Sequence, residues 1–257
     1  MMTFIADTFH MLQRHVRVTL RLPIWIAVTL VQPVIWLTLY GQLFRRVVEL
    51  PGFGAASYIQ FLTPGVVMMT ALFGSAWSGM GLIEDHDDGV LDRMLATPVH
   101  RGAFIASRVL HAALTVTIQS GIILVAGLLL GARSPGGWLG VLAILLMAAL
   151  LAAGFSALSN AMALLTRNSD SLVALVQFFG MPLLFVSTAF MAAELMPDWL
   201  LFLARGNPVN WAVNAGREAM SGGAWTAVWQ YSLLLLAFAF IASLLATQAF
   251  RAYRRIG

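Results

Sequence analysis

Residues able to do chemistry fall into two groups: carboxylates bunched in one short stretch, and amides and hydroxyls set inside long apolar runs. The acidic stretch runs from Glu84 through Asp85, Asp87 and Asp88 to Asp92 and Arg93. Its spacing, Asp85-x-x-Asp88-Gly89-x-x-Asp92-Arg93, opens the pattern with which membrane phosphotransferases acting on CDP-alcohols hold divalent metal, and Gly102 follows at the matching distance. The pattern then breaks, because Ala106 and Leu110 stand where the third and fourth aspartates belong. Two carboxylates cannot supply both the oxygen ligands of a two-metal site and a base. Coincidence within an acidic loop is the better reading, with Asp85 and Asp88 kept as the residues of the alternative, a metal-dependent CDP-alcohol phosphotransferase-like enzyme.

Other chemistries fall away quickly. There is no cysteine, hence no thiol nucleophile, disulfide or thiolate metal site. All 15 basic residues are arginine, so the chain cannot carry the lysine of a phosphate-cradling ATPase loop. If ATP drives this protein, another polypeptide hydrolyses it. The histidines (His10, His15, His86, His100, His111) all map near one membrane face, and no GxSxG elbow accompanies them. Neither a catalytic residue nor a resident cofactor or metal is expected on the chain.

The elements that would hold these groups are membrane helices. Of 257 residues, 60% are hydrophobic and only 10% charged, with a mean hydropathy of +0.85. A soluble domain carries about 25% charged residues, so this chain cannot cover a water-facing surface. A soluble enzyme, a disordered region and a nucleic-acid-binding domain are excluded; the net charge of +4 has too little polar surface around it to form a phosphate-binding face. Six charge-free stretches approach or exceed the roughly 20 residues that cross a bilayer: 24–43, 58–83, 112–131, 138–166, 171–193 and 225–250. The third is expected to begin earlier, near Phe104, with Arg108 and His111 at the water interface. Ten of the arginines lie on the side of the two termini and five on the other, and the positive-inside rule therefore places both termini in the cytoplasm. The expectation is one all-α, six-span membrane domain over 1–257.

Residues 1–22 form an amphipathic pattern, with Ile5, Phe9, Leu12, Val16 and Leu20 on one face and Asp7, His10, Arg14, Arg17 and Arg21 on another. Such a helix lies flat at the inner interface. In the cytoplasmic loop 84–101, Val90, Leu91, Met94 and Leu95 make an apolar stripe that Thr97-Pro98 ends. A stripe of this kind needs a partner groove; a solvated turn is the plain alternative. In the outer segment 194–224, punctuation predicts two short helices: Trp199–Arg205 ended by Gly206, and a second with Asn207 as N-cap, Pro208 at its first position and Gly222-Gly223 as its stop. Asn210, Asn214, Arg217 and Ser221 share a face of that second helix.

Inside the spans, Gln32, Gln60, Gln119, Asn160 and Gln177 are costly in lipid. No acidic or basic residue lies near mid-span, which disfavours ion-driven transport. Met69, Phe73 and Trp77 of span two, with Gln177, Phe178 and Phe185 of span five, are candidates for a greasy substrate path; packing is the alternative. Gly127 and Gly131 form a GxxxG that marks a close helix contact.

This arrangement resembles the ABC-2 type permeases, and among them the daunorubicin-resistance-type drug and lipid exporter branch. The most specific match is the loop after span two, where the family's acidic residue, Gly-x-Leu, Leu, Pro and basic residue correspond to Glu84, Gly89, Leu91, Leu95, Pro98 and Arg101, with Arg108 opening span three. Asn207-Pro208, Arg217 and Gly222 before span six also fit. Two features depart: Asp85-His86-Asp87-Asp88 is more acidic than the family pattern, and Ser107 replaces a glycine. The resemblance implies a non-catalytic permease in a bacterial cytoplasmic membrane that pairs with a second permease, either a copy of itself or a related chain. A coupling helix at 89–96, including Val90 and Met94, docks on a separate ATP-binding subunit that carries ATP and Mg. It further implies export of a drug, lipid or glycolipid, a substrate path near spans two and five, and an outer gate around Asn207, Pro208, Asn214 and Arg217.

Overall fold

The computed structural model describes residues 2–21, 23–50, 57–90, 93 and 101–256, and among these every regular element is helical. Helix α1 spans Met2–Arg21. Helix α2, Pro23–Ile35, continues through a π-helical turn at Trp36–Tyr40 into Gly41–Leu43. Helix α3, Tyr58–Ala76, starts where the Ser57 side chain accepts from the Gln60 N–H, meeting a donor that the first helical turn leaves unpaired. A 3₁₀ turn at Trp77–Gly79 separates it from α4, Met80–Asp87. Then follow α5 (Arg101–Leu129), α6 (Gly137–Thr166), α7 (Ser169–Phe185), α8 (Asp198–Arg205), α9 (Pro208–Ser221) and α10 (Trp225–Ile256).

Four stretches of the described residues are long and apolar enough to cross a membrane: Tyr58–Asp87, Gly102–Leu129, Gly137–Thr166 and Trp225–Phe250. Of the other two expected spans, the first is continuously helical over 23–43, and the fifth is a shorter apolar helix, Ser169–Phe185. The fifth was expected to reach Ala193, but α7 contains Pro182 and ends at Phe185, since proline removes a helical donor and crowds the preceding turn. Its 17 residues rise about 26 Å, a little short of the roughly 30 Å hydrocarbon core.

Helix α6 is central, packed against α10, α5, α9 and α3. Its Ile144, Met147 and Leu151 are fully buried, as are Leu62, Met68 and Leu72 of α3. Helix α1 lies on α5 and turns Thr8 and Met11 inward while Ile5, Phe9 and Leu20 stay exposed. The most apolar positions read from the sequence are therefore not the ones that dock; they face away from the bundle. The expected GxxxG also divides in two: Gly127 abuts Thr63 of α3, where a Cβ would sit 2.6 Å from Thr63 Cγ2, whereas Gly131 is a turn residue with φ +104°.

Candidate functional site

The stretch Tyr58–Asp87 carries one connected set of polar features, and they begin at its break. The 3₁₀ turn at Trp77–Gly79 is stitched to α6: the Gly79 N–H donates to Ser159 Oγ at 3.0 Å, and Ser159 Oγ donates back to the Ala76 carbonyl. Ser78 Oγ donates to Ser156 Oγ at 2.8 Å, and Asn160 Nδ2 donates to the Ser156 carbonyl at 2.8 Å and to Ser78 Oγ at 3.2 Å. Gly79 is required there, because a Cβ would stand 2.5 Å from the Ser159 carbonyl oxygen. The conspicuous in-span Asn160 is thus a clamp on the break in span two.

Below the break, α4 is tied to its neighbours through one carboxylate. Asp85 accepts from Arg108 of α5 on one oxygen and from Arg14 of α1 on the other, the latter at 3.2 Å. Arg108 is 6% exposed, also donates to the Gly81 carbonyl at 3.0 Å, and lies 5.2 Å from the centre of the Phe104 ring. These charges border a cleft of about 320 Å³ between α1, α4 and α5 that His15, Thr19, Trp77 and His111 also line. The His15 and His111 rings are 5.6 Å apart, and His111 Nε2 is 2.8 Å from Thr19 Oγ1. Burial first, then Arg108, His111 and Arg14, push His15 down to about 3, so it is neutral at pH 7.

The loop that follows is described only in part. Glu84 is exposed and Gly89 adopts φ +64°, a left-handed geometry that glycine reaches without strain. Arg93 folds back to the Gly89 and Asp88 carbonyls. Leu91, Met94, Leu95 and Pro98, expected to form the apolar stripe, lie outside the described residues, as does the Arg101 side chain; Val90 is half-buried. Asp85, expected to be available to a partner or a metal, instead faces two arginines of its own chain.

At the opposite end, α9 forms as its punctuation predicts. Asn207 Oδ1 accepts from the Val209 N–H, Pro208 opens the helix, and Gly222 closes it at φ +72°. Helix α8 starts one residue earlier than expected, with Pro197 before it and Gly206 after. The polar face of α9 grips the end of α7 and the turn beyond it. Asn207 Nδ2 donates to the Leu183 and Val186 carbonyls at 2.6 and 2.8 Å. The Thr188 N–H donates to Asn210 Oδ1 at 3.0 Å, and its hydroxyl donates to Asn214 Oδ1 at 2.8 Å. Arg217 donates to the carbonyls of Thr188, Ala189 and Phe61 and stacks 3.6 Å from the centre of the Phe61 ring. Gly65 of α3 lies under this turn, where a Cβ would fall 2.2 Å from the Ala189 oxygen. Asn207, Asn214 and Arg217 therefore bind α9 to the end of α7 and, through Phe61, to α3.

The candidate path residues are not brought together. Met69, 3% exposed, belongs to the core. Phe73 lies beside Gly180 of α7, and Trp77 borders the cleft at α1. Gln177 and Phe178 face outward, Phe178 at 72% exposure, and Phe185 reaches a separate cavity beside the turn after α7. An apolar pocket of about 230 Å³, lined by Leu72, Phe155, Met162, Val176 and Phe179 among others, lies where α3, α6 and α7 meet. Sequence reading missed the Asp85–Arg108 pair and the Ser156–Ser159–Asn160 clamp, whose members stand about 80 residues from the turn they hold.

Comparison with known proteins concerns the chain as a whole. Residues 6–221 match the family described as ABC-2 type transporter. The chain is 30% identical over 236 residues to the transport permease ycf38 of Cyanophora paradoxa, covering 91% of this chain and 80% of the relative. It is 27% identical over 252 residues to the daunorubicin resistance ABC transporter permease protein DrrB1 of Streptomyces coeruleorubidus, covering 98% and 87%. It is also 27% identical over 164 residues to the doxorubicin resistance permease DrrC of Mycobacterium tuberculosis, covering 63% and 58%.

Proposed function

The chain belongs to the ABC-2 type transporter family, and from that premise we propose that it is the non-catalytic, membrane-spanning permease subunit of an ATP-driven exporter moving a hydrophobic or amphipathic drug, lipid or glycolipid outward. It works as one of two permease copies in a bacterial cytoplasmic membrane, both termini cytoplasmic, beside an ATP-binding subunit that carries ATP and Mg. The daunorubicin and doxorubicin resistance named for its relatives favours a drug-like cargo.

The observation that carries this reading is the construction of span two. Helix α4 leads into the loop 84–101 that would dock on the ATPase, and it is joined to α3 by a 3₁₀ turn rather than by continuous α-helix. Asp85 binds it to α1 and α5, and Ser159 and Asn160 bind its upper end to α6. A push on Glu84, Gly89, Val90, Leu91, Met94, Leu95, Pro98 or Arg101 thus reaches three neighbouring helices at once. At the outer end, Asn207, Pro208, Asn214 and Arg217 make α9 and the end of α7 one unit, which serves as the gate. ATP binding needs to favour the outward-open arrangement by only a few kcal/mol to drive the change.

The test is gentle purification from the native membrane, with mass spectrometry of whatever co-purifies stoichiometrically. A soluble subunit with a phosphate-binding loop is the expected result. A clean complex with no ATPase overturns the reading.

A further inference from the structure

At the outer end of span one the chain leaves α-helical geometry. Trp36–Tyr40 forms a π-helical turn, a distortion that recurs at functional sites. It sets Trp36 and Tyr40 ring on ring, with centroids 4.3 Å apart and planes 21° from parallel. Phe190, from the turn after α7, faces both at 5.2 and 6.3 Å. Phe44, Tyr58 and Phe185 continue the wall, with Phe44 5.6 Å from Tyr58 and Phe185 6.0 Å from Phe190. Together these rings border a cavity of about 320 Å³ with a mainly apolar lining.

An aromatic belt at a membrane interface points its rings toward headgroups. Here the rings face one another around a void that a close-packed interior would fill. A protein cavity of roughly 150 Å³ accepts benzene, so one about twice as large takes roughly two to three fused rings. Aromatic walls favour a flat aromatic guest in offset or edge-on contact, at centroid spacings of about 4.5–7 Å. The polar groups of the wall are mostly engaged: Tyr58 Oη donates to the Phe190 carbonyl at 3.1 Å and Ser187 Oγ to that of Leu184. Tyr40 Oη makes no hydrogen bond among the described residues and can take one from a guest.

We propose that this cavity binds the flat, fused-ring aromatic body of a lipophilic molecule, held between Trp36–Tyr40 and Phe185–Phe190, with Tyr40 Oη hydrogen-bonding a hydroxyl or carbonyl on the ring edge. The site lies at the outer end of the bundle, and its use as an exit station for cargo rests on the exporter reading above. Binding itself does not, and it is measurable on the permease alone.

The test is fluorescence anisotropy of 9-anthracenemethanol and 9-methylanthracene titrated with the purified full chain in detergent. Saturable binding of both is expected. Tyr40→Phe should weaken only the alcohol, by roughly three- to tenfold, the value of one neutral hydrogen bond. Trp36→Leu and Phe185→Leu should weaken both probes, with size-exclusion profiles confirming that the variants fold. Titrations indistinguishable from empty micelles, or a Tyr40→Phe effect equal for the two probes, overturn the proposal. If an ATPase subunit co-purifies while anthracene binding is absent, the cavity assignment alone falls. If binding is present and no ATPase assembles, the exporter reading falls and the ligand site remains.

Discussion

Arg108 of α5 and Asp85 of α4 form an ion pair largely removed from solvent, and the second oxygen of the same carboxylate is taken by Arg14 of α1. One side chain thus joins α4, the helix that leads into the loop 84–101, to both α1 and α5. Removing one partner of a buried pair leaves an uncompensated charge, at a cost of about 3–5 kcal/mol. Asp85→Ala is therefore expected to lower the thermal midpoint of the detergent-solubilised protein clearly. Asp85→Ala combined with Arg108→Met, which removes the orphaned charge, should recover most of that loss. If Asp85 also transmits motion, the double variant folds but shows no substrate-stimulated ATP hydrolysis in the assembled complex. Full stimulation in the double variant would reduce the pair to a structural role.

His15 gives the docking of α1 a pH dependence. Its pKa in the folded protein is pushed from 6.5 down to about 3, so the docked helix binds fewer protons than the free one between those values. The stabilisation is complete above pH 6.5 and declines as pH falls toward 3, by no more than about tenfold in the docking equilibrium per pH unit. Hydrogen exchange in α1, corrected for intrinsic rates, should rise between pH 7 and pH 5. His15→Gln should flatten that rise; an unchanged slope in the variant would show that another group controls it.

The break in span two admits a steric test. Gly79→Ala places a Cβ 2.5 Å from the Ser159 backbone oxygen, and α3 and α6 must separate to admit it. Ser159→Ala keeps the spacing but leaves the Gly79 N–H without its acceptor, at about 1–3 kcal/mol. Both should lower the thermal midpoint, Gly79→Ala by more. Equal and negligible effects would mean that the turn is not gripped as the hydrogen bonds indicate.

Much of this was readable in the chain because the signals are local. Asn207, Pro208 and Gly222 punctuate α9 within one helix, and the 3.6-residue pattern of α1 needs no tertiary information. The docking face of α1 was less readable, since Thr8, Met11, His15 and Thr19 meet α5 while the more apolar stripe faces away. Asp85 looked like one of several loop carboxylates because Arg108 and Arg14 lie 23 and 71 residues distant. The π-helical turn at Trp36–Tyr40 lies between Pro33 and Gly41, residues that signal a distortion but not its kind, and Pro182 likewise signals that α7 is interrupted while the contacts of its last turn with Asn207 come from far along the chain.

The loop stripe carries the prediction that separates a transport subunit from a membrane enzyme. Leu91 stands in a run whose neighbours Asp87, Asp88 and Asp92 suit water, so a carboxylate at Leu91 should not disturb the membrane bundle. It should, however, oppose burial in a partner's apolar groove, because an unpaired charge removed from water is strongly unfavourable. Leu91→Asp is thus expected to leave the size-exclusion profile and thermal midpoint of the isolated permease near wild type while abolishing co-purification of the ATPase subunit. Asp88→Ala, which alters an exposed carboxylate, should leave both nearly unchanged. A metal-dependent phosphotransfer by the isolated chain that Asp88→Ala removes would reverse the assignment, placing the chemistry on this polypeptide and the partner nowhere.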